Sequence, residues 1–244
     1  MSLGGCIRGS SRLIEAAKDY KYLLNRGYPA TSSLNLVVAR YQMSRRERSL
    51  LLRCVHRDEY SEKILRSIVT KNNLSGSNLL IDLLNVSTTL IAFLEGECLY
   101  KCDDGLIRDL GGSRYWKGKK ERALEAINMI KEHLATAKPA KIYLVLDRLA
   151  PMSSYILKQA MEIFRSSNFD VEGILSERAD REIIELSKNL RDITCIVATS
   201  DSLILEKADH IYDLAGEIIS SANPEKIDKS IYLELYLSQP HVIK

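Results

Sequence analysis

The sequence predicts an α/β protein in two parts: an all-α helical domain over residues 1–73, then a three-layer α/β/α domain with a mostly parallel sheet over residues 74–244. Three observations predict it. The first is a set of apolar runs that each stop at an aspartate: Leu79-Leu80-Ile81-Asp82, Ile142-Tyr143-Leu144-Val145-Leu146-Asp147 and Cys195-Ile196-Val197-Ala198-Thr199-Ser200-Asp201. Runs this short and apolar read as strands buried on both faces, as in a parallel sheet covered by crossover helices. The second is their alternation, from Leu79 onward, with long stretches of 3.6-residue period. The third is that residues before 72 carry apolar side chains at helical spacing only.

Residues 1–10 contain three glycines and little pattern, which predicts a loose tail. Ser11 can cap a helix with Leu13, Ala16, Ala17, Tyr20, Leu23 and Leu24 on one stripe, ended by Gly27 and Pro29. A second helix from about Thr31 aligns Leu34, Val37, Val38 and Tyr41. Ser44-Arg45-Arg46-Glu47 has the form of a capping box, so a third helix starts there and presents Leu51, Leu52 and Val55 to a core. A fourth covers about 58–71. The stretch 72–78, rich in Asn, Ser and Gly, is the expected domain boundary.

Beyond it the expected order is strand 79–82, helix 86–95, a short strand at 98–101 and a polar segment, 103–109. A long helix over 118–136 follows, broken by Pro139 before strand 142–147. Then come helix 153–166, strand 170–175, helix 179–190, strand 193–199, a short helix from 201, a strand near 210–214 and a last helix around 216–221.

Composition excludes several classes. The chain has 244 residues, 45% apolar and 27% charged, with no apolar run near the roughly 20 residues that span a bilayer and no signal-peptide core. A soluble, cytosolic protein is expected. Cys6, Cys54, Cys98, Cys102 and Cys195 include one close pair but no second pair or adjacent histidine to complete a zinc set, so they read as reduced thiols. Phosphate-loop, dinucleotide and nucleophile-elbow glycine motifs are absent. The net charge of +3 conceals an asymmetry: residues 1–73 hold 14 Lys/Arg against 6 Asp/Glu, the remainder 21 against 26. The third helix alone carries Arg45, Arg46, Arg48 and Arg53, a basic face suited to phosphate or simply to solvent.

The chemistry lies in the aspartates. Parallel strands end on one edge of their sheet, so Asp82, Asp147 and Asp201 can meet although distant in sequence. Asp180, opening the helix after strand 170–175, can join them. Clustered carboxylates repel unless a cation lies between them, and hard oxygen donors select Mg²⁺ or Mn²⁺. The competing explanation is that each aspartate merely caps the next helix. Asp103-Asp104 either adds a ligand, Asp104, or forms a polar turn. Ser113-Arg114-Tyr115-Trp116-Lys117-Gly118-Lys119-Lys120 sets cations and the single tryptophan before a helix N-terminus. Positive charge is unfavourable there, which suggests an RNA-facing loop with Trp116 available for stacking; a buried Trp116 with solvated lysines fits the stretch equally well.

These motifs resemble a known group. Ile81-Asp82-Leu83-Leu84-Asn85-Val86 resembles the first motif of the NYN branch of PIN-like nucleases, an aspartate three residues before an asparagine. Leu146-Asp147, Ala179-Asp180 and Thr199-Ser200-Asp201-Ser202 resemble its later acidic positions, in the same order. The whole chain resembles a mainly archaeal family that joins a DUF434 domain to a PIN-like DUF5616 domain. Asn-Arg-Gly-Tyr-Pro at 25–29, Arg40-Tyr41, Cys102-Asp103-Asp104-Gly105 and Arg108-Asp109 carry that likeness.

The resemblance implies a Mg²⁺- or Mn²⁺-dependent ribonuclease. In it Asp82, Asp147 and Asp201, with Asp180 or Asp104, hold metal that activates water, and Asn85 orients an aspartate or water. RNA is the implied partner, with a homodimer compatible and neither membrane nor nucleotide cofactor required. The alternative is a non-catalytic RNA- or protein-binding module. Leu83 departs from the family pattern, which has a glycine there.

Overall fold

The computed structural model describes residues 6–7, 9–116, 118–190 and 193–237. They form two compact units. Unit 1 gathers the described residues of 1–66, 96–110 and 223–244; unit 2 gathers those of 67–95 and 111–222. The stretch 72–78 therefore falls within unit 2, and two later segments return to the helical unit.

Unit 1 contains α1 (Ser11–Asn25), α2 (Ala30–Arg40), α3 (Arg45–Cys54) and α4 (Asp58–Ser67). Ser10, one residue before the expected cap, accepts the Leu13 N–H, and the capping box at Ser44 and Glu47 forms in both directions. The apolar stripes meet in a core that includes Leu13, Tyr20, Leu34, Val37, Leu50 and Leu51, all at most 1% exposed. The segment 96–110 adds β2 (Leu99–Lys101) and β3 (Ile107–Arg108), an antiparallel pair around the turn at Asp103 and Asp104.

Four of the five cysteines are bonded rather than reduced, correcting the thiol expectation. Cys6 is joined to Cys98 and Cys54 to Cys102, with Cα atoms 5.4 and 4.2 Å apart; Cys195 alone is free.

Unit 2 opens with a 3₁₀ turn, Lys71–Leu74, and a parallel four-stranded sheet follows. Its elements are β1 (Asn78–Asp82), α5 (Leu83–Leu94), α6 (Lys120–Leu134), β4 (Lys141–Asp147), α7 (Ser153–Arg165), β5 (Val171–Ser176), α8 (Ala179–Asn189), β6 (Cys195–Ala198), α9 (Ser202–Leu205) and α10 (Leu214–Ala222). Unit 1 regains the chain at β7 (Ile227–Asp228), parallel to β2, and α11 (Ser230–Tyr232). The expected strand near 210–214 is reduced to bridges from Ile211 to Ile68 and Val197.

The strand order β5-β4-β1-β6 follows from the sequence of crossovers. From β1 the chain steps outward to β4 and β5, then reverses past β1 to β6. Right-handed crossovers therefore put α5–α7 on one face and α8 on the other, and packing agrees: α5, α6 and α7 touch in succession, while α8 meets α9. That reversal falls between β1 and β6, and the carboxyl ends beside such a switch point are the usual position of ligands in open α/β sheets. Every residue of β1 is buried, as is Ile142 to Leu146 in β4, which is why these strands lack alternation.

Candidate functional site

Asp82 ends β1 and caps α5, its Oδ1 accepting the Asn85 N–H at 3.1 Å. Asp147 ends β4. Asp82 is opposite Val145, so Asp147, two residues on, lies on the same sheet face. Asp201 caps α9 just beyond β6, and Asp180 stands in the first turn of α8 after β5. All four therefore come from the carboxyl edge of one sheet. Asp82 and Asp201 each cap a helix, as the competing explanation had it, and they also act electrostatically on one another.

Thr199 links the two central aspartates. Its hydroxyl donates to Asp82 Oδ2 at 2.9 Å and accepts the Asp201 N–H at 3.1 Å. Asn85 Oδ1 accepts both the N–H (2.8 Å) and the hydroxyl (3.0 Å) of Ser200. Asn85 thus holds the segment that carries Asp201. Sequence reasoning assigned roles to Asp201 and Asn85 but none to Thr199 or Ser200, although Thr199 lies in the quoted Thr/Ser-x-Asp motif.

Electrostatically the aspartates act on one another. Asp82 is 7% exposed; burial, with Asp201 and Asp180 adding to it, pushes its carboxyl up to about 7 against the pull of the Asn85 and Thr199 hydrogen bonds. Asp180 is also raised, by desolvation first and then by Asp201 and Asp147. Among the described residues no lysine or arginine forms an ion pair with any of the four. Burial and unrelieved like charge both favour protonation, so a divalent cation would compete with a proton here. The chemistry of this donor set, carboxylate oxygens only, suits Mg²⁺ or Mn²⁺.

Asp104 is held within its own unit. It lies in unit 1, and both its oxygens bind the Arg108 guanidinium, at 2.8 and 2.6 Å, which holds its carboxyl below the usual range despite complete burial. Asp103 accepts from Lys21 (2.9 Å) and from the His56 N–H (2.8 Å), and Lys21 also meets Asp58 at 2.9 Å. Among the described residues, His56, Asp103 and Asp104 bring three potential ligand atoms within 4.8 Å of one another, a grouping that could hold a metal ion. Lys21 and Arg108 already supply its positive charge. The four edge aspartates do not reach that mutual spacing.

In the loop 113–120 the buried alternative holds for the tryptophan. Trp116 is 2% exposed and its Nε1 donates to the Pro151 carbonyl at 2.9 Å, so its ring is core, not a stacking platform. Arg114 Nε bonds the Gly111 carbonyl, Lys119 pairs with Glu95 at 2.9 Å, and Lys120 lies 4.3 Å over the Tyr155 ring. Lys117 lies outside the described residues.

On α3, Arg46 approaches Glu97 (3.9 Å), Arg48 bonds Asn35 (3.1 Å) and Arg53 approaches Asp109 (4.0 Å). Arg45 is exposed and forms no side-chain bond among the described residues, so the basic face is largely engaged within its own unit. A separate pocket of about 540 Å³, lined in part by Lys131, Lys138, Asn168 and Asp170, opens beside the residues that precede β4 and β5, at the opposite edge from the aspartates.

Fold and site thus define an α/β protein with an acidic cluster at the carboxyl edge of its sheet. The comparisons place it further. The family model described as domain of unknown function DUF5616 matches residues 71–217, and that described as protein of unknown function DUF434 matches residues 12–66. The chain belongs to the DUF5616 family. It is 31% identical over 210 residues to uncharacterized protein MJ0935 of Methanocaldococcus jannaschii, covering 84% of this chain and 96% of the relative. No solved structure matches the chain. No helix among the described residues is long and apolar enough to cross a membrane.

Proposed function

We propose that this protein is a metal-dependent nuclease of the PIN-like class, hydrolysing RNA phosphodiesters at the edge cluster. The observation that carries the proposal is four aspartates along the carboxyl edge of one sheet, mutually repelling and without a cationic partner among the described residues. Asp82, Asp147, Asp180 and Asp201 would hold Mg²⁺ or Mn²⁺, which when bound supplies an activated water and charge stabilisation on the phosphate. The chain's own contribution is positional. Thr199 holds Asp82 and the Asp201 backbone in register, Asn85 locks the Ser200 segment, and the surrounding strands keep Asp82 out of bulk water.

One observation favours a second reading, a binding module without catalysis. Asp147 Oδ1 accepts the Leu149 N–H at 2.8 Å and Asp201 Oδ1 the Leu203 N–H at 2.9 Å, so part of the donor set serves local turns. Each retains its second oxygen for another ligand. Incubation with mixed RNA and single-stranded DNA, with and without Mn²⁺, separates the two. Cleavage that requires Mn²⁺ and falls by orders of magnitude in Asp82→Asn and Asp201→Asn supports the nuclease; no divalent-dependent product favours the binding module.

A further inference from the structure

The loop from Asp147 into α7 combines order with exposure. Its backbone is tied at every turn: Ala150 N–H donates to the Asp147 carbonyl, Ser153 N–H to the Ala150 carbonyl, Ser153 hydroxyl to the Arg148 carbonyl, and Trp116 Nε1 to the Pro151 carbonyl. Met152 is held left-handed at φ 58°, a conformation disfavoured for a side chain of this kind. Such a loop could have folded its apolar side chains inward. Instead Leu149 is 77% exposed, Met152 43% and Tyr155 41%.

Rigid, exposed apolar side chains beside an acidic edge point to a binding surface rather than to poor packing. The charges around them say what kind. Arg148 is exposed, adjoins Asp147, and has no side-chain partner among the described residues; the same is true of Arg178, two residues before Asp180. Ser176 gathers both backbones, its carbonyl accepting the Arg148 N–H (2.9 Å) and its hydroxyl the Arg178 N–H (3.2 Å). Lys120 adds a cation over the Tyr155 ring.

We infer that this loop is a platform for single-stranded nucleic acid: Tyr155 stacks a base, and Arg148 and Arg178 hold the phosphates on either side of the β4–β5 end. An aromatic face interleaved with unpaired cations fits a strand of bases and phosphates, whereas a protein partner would not need both arginines free of carboxylates. The platform rests on the nuclease proposal for its purpose, since it would lead a strand toward Asp147, but not for its existence.

The test measures binding of a short fluorescent single-stranded RNA, and a DNA of the same sequence, in EDTA so that nothing is cut. Tyr155→Ala should weaken binding roughly tenfold while Tyr155→Phe keeps it, because stacking needs the ring and not the hydroxyl. Arg148→Gln and Arg178→Gln should each reduce the salt dependence by about 0.7 in the log–log slope. All four variants should keep the wild-type melting temperature and the wild-type calorimetric affinity for Mn²⁺. Equal loss on RNA and DNA assigns the platform to the shared backbone and bases; loss on RNA alone adds the 2′-hydroxyl. Wild-type-like affinity in Tyr155→Ala and Arg148→Gln, or no binding by the wild type, overturns the platform. Loss of binding in these variants, together with a wild type indifferent to Mn²⁺, keeps the platform and removes the nuclease.

Discussion

Thr199 shows how one hydroxyl can organise two carboxylates. It is 3% exposed, gives its proton to Asp82 and takes one from the Asp201 backbone. Thr199→Val preserves shape and removes both bonds, so it should cost about 1–2 kcal/mol in chemical denaturation and raise the Asp82 pKa further. Asp82 itself is a site of stored electrostatic cost. Its carboxyl titrates near 7 in the folded protein against 3.8 as the ordinary value, so the folded state holds its proton more tightly. The stability this contributes is complete below about pH 4 and is lost as pH rises through 7. In EDTA, Asp82→Asn should therefore raise the melting temperature at pH 8 by the equivalent of a few kcal/mol and have little effect at pH 4. A variant less stable than wild type at pH 8 would contradict the account. Asp82, Asp147 and Asp201 stood out in the sequence because each ends an apolar run, and Asp180 because it opens the helix after one. For Trp116 the sequence left exposure and burial open, because neighbouring lysines fit either, and its environment is set by Pro151, which is 35 residues away.

Elements show where sequence pattern loses its force. The fully buried strands β1 and β4, the capping box of α3 and the alternation of strands with helices were all readable, because each leaves a local periodic or capping signal. The short strand β2 was also expected, at 98–101, but its partner β3 was not, since a two-residue strand has no period to detect. Nor was the cysteine pairing, as spacing alone does not reveal which Cα atoms come within bonding reach.

The two disulfides close separations of 92 and 48 residues within unit 1. Reduction, or Cys54→Ser with Cys102→Ser, should lower the stability of that unit by about 2–4 kcal/mol for each bond lost, seen as a drop in melting temperature under reducing conditions. In α6, His133 bonds the Tyr212 hydroxyl at 2.6 Å, and burial chiefly, with Lys71 assisting, lowers its pKa to about 4. The folded pKa lies below the unfolded value of 6.5, so this stabilisation is present above pH 6.5 and is lost as pH falls toward 4. Its slope opposes that of Asp82 over much of the same range. His133→Gln should remove about 1–2 kcal/mol of acid sensitivity, after allowing for a ring only half shielded from solvent.

At the scale of the molecule, a basic helical unit stapled by disulfides and an α/β unit with an acidic edge are joined in one chain, and the DUF434 and DUF5616 matches follow much the same division. The acidic sites of the two units differ in kind. Asp103 and Asp104 are neutralised by Lys21 and Arg108, whereas Asp82, Asp147, Asp180 and Asp201 have no such partners among the described residues. A cation should therefore prefer the second set. Calorimetric titration of the metal-free protein with Mn²⁺ at pH 7.5 tests this most directly, alongside Asp201→Asn and Asp103→Asn. Saturable binding that weakens at least tenfold in Asp201→Asn and persists in Asp103→Asn is the predicted result; no binding, or binding lost only in Asp103→Asn, would contradict it.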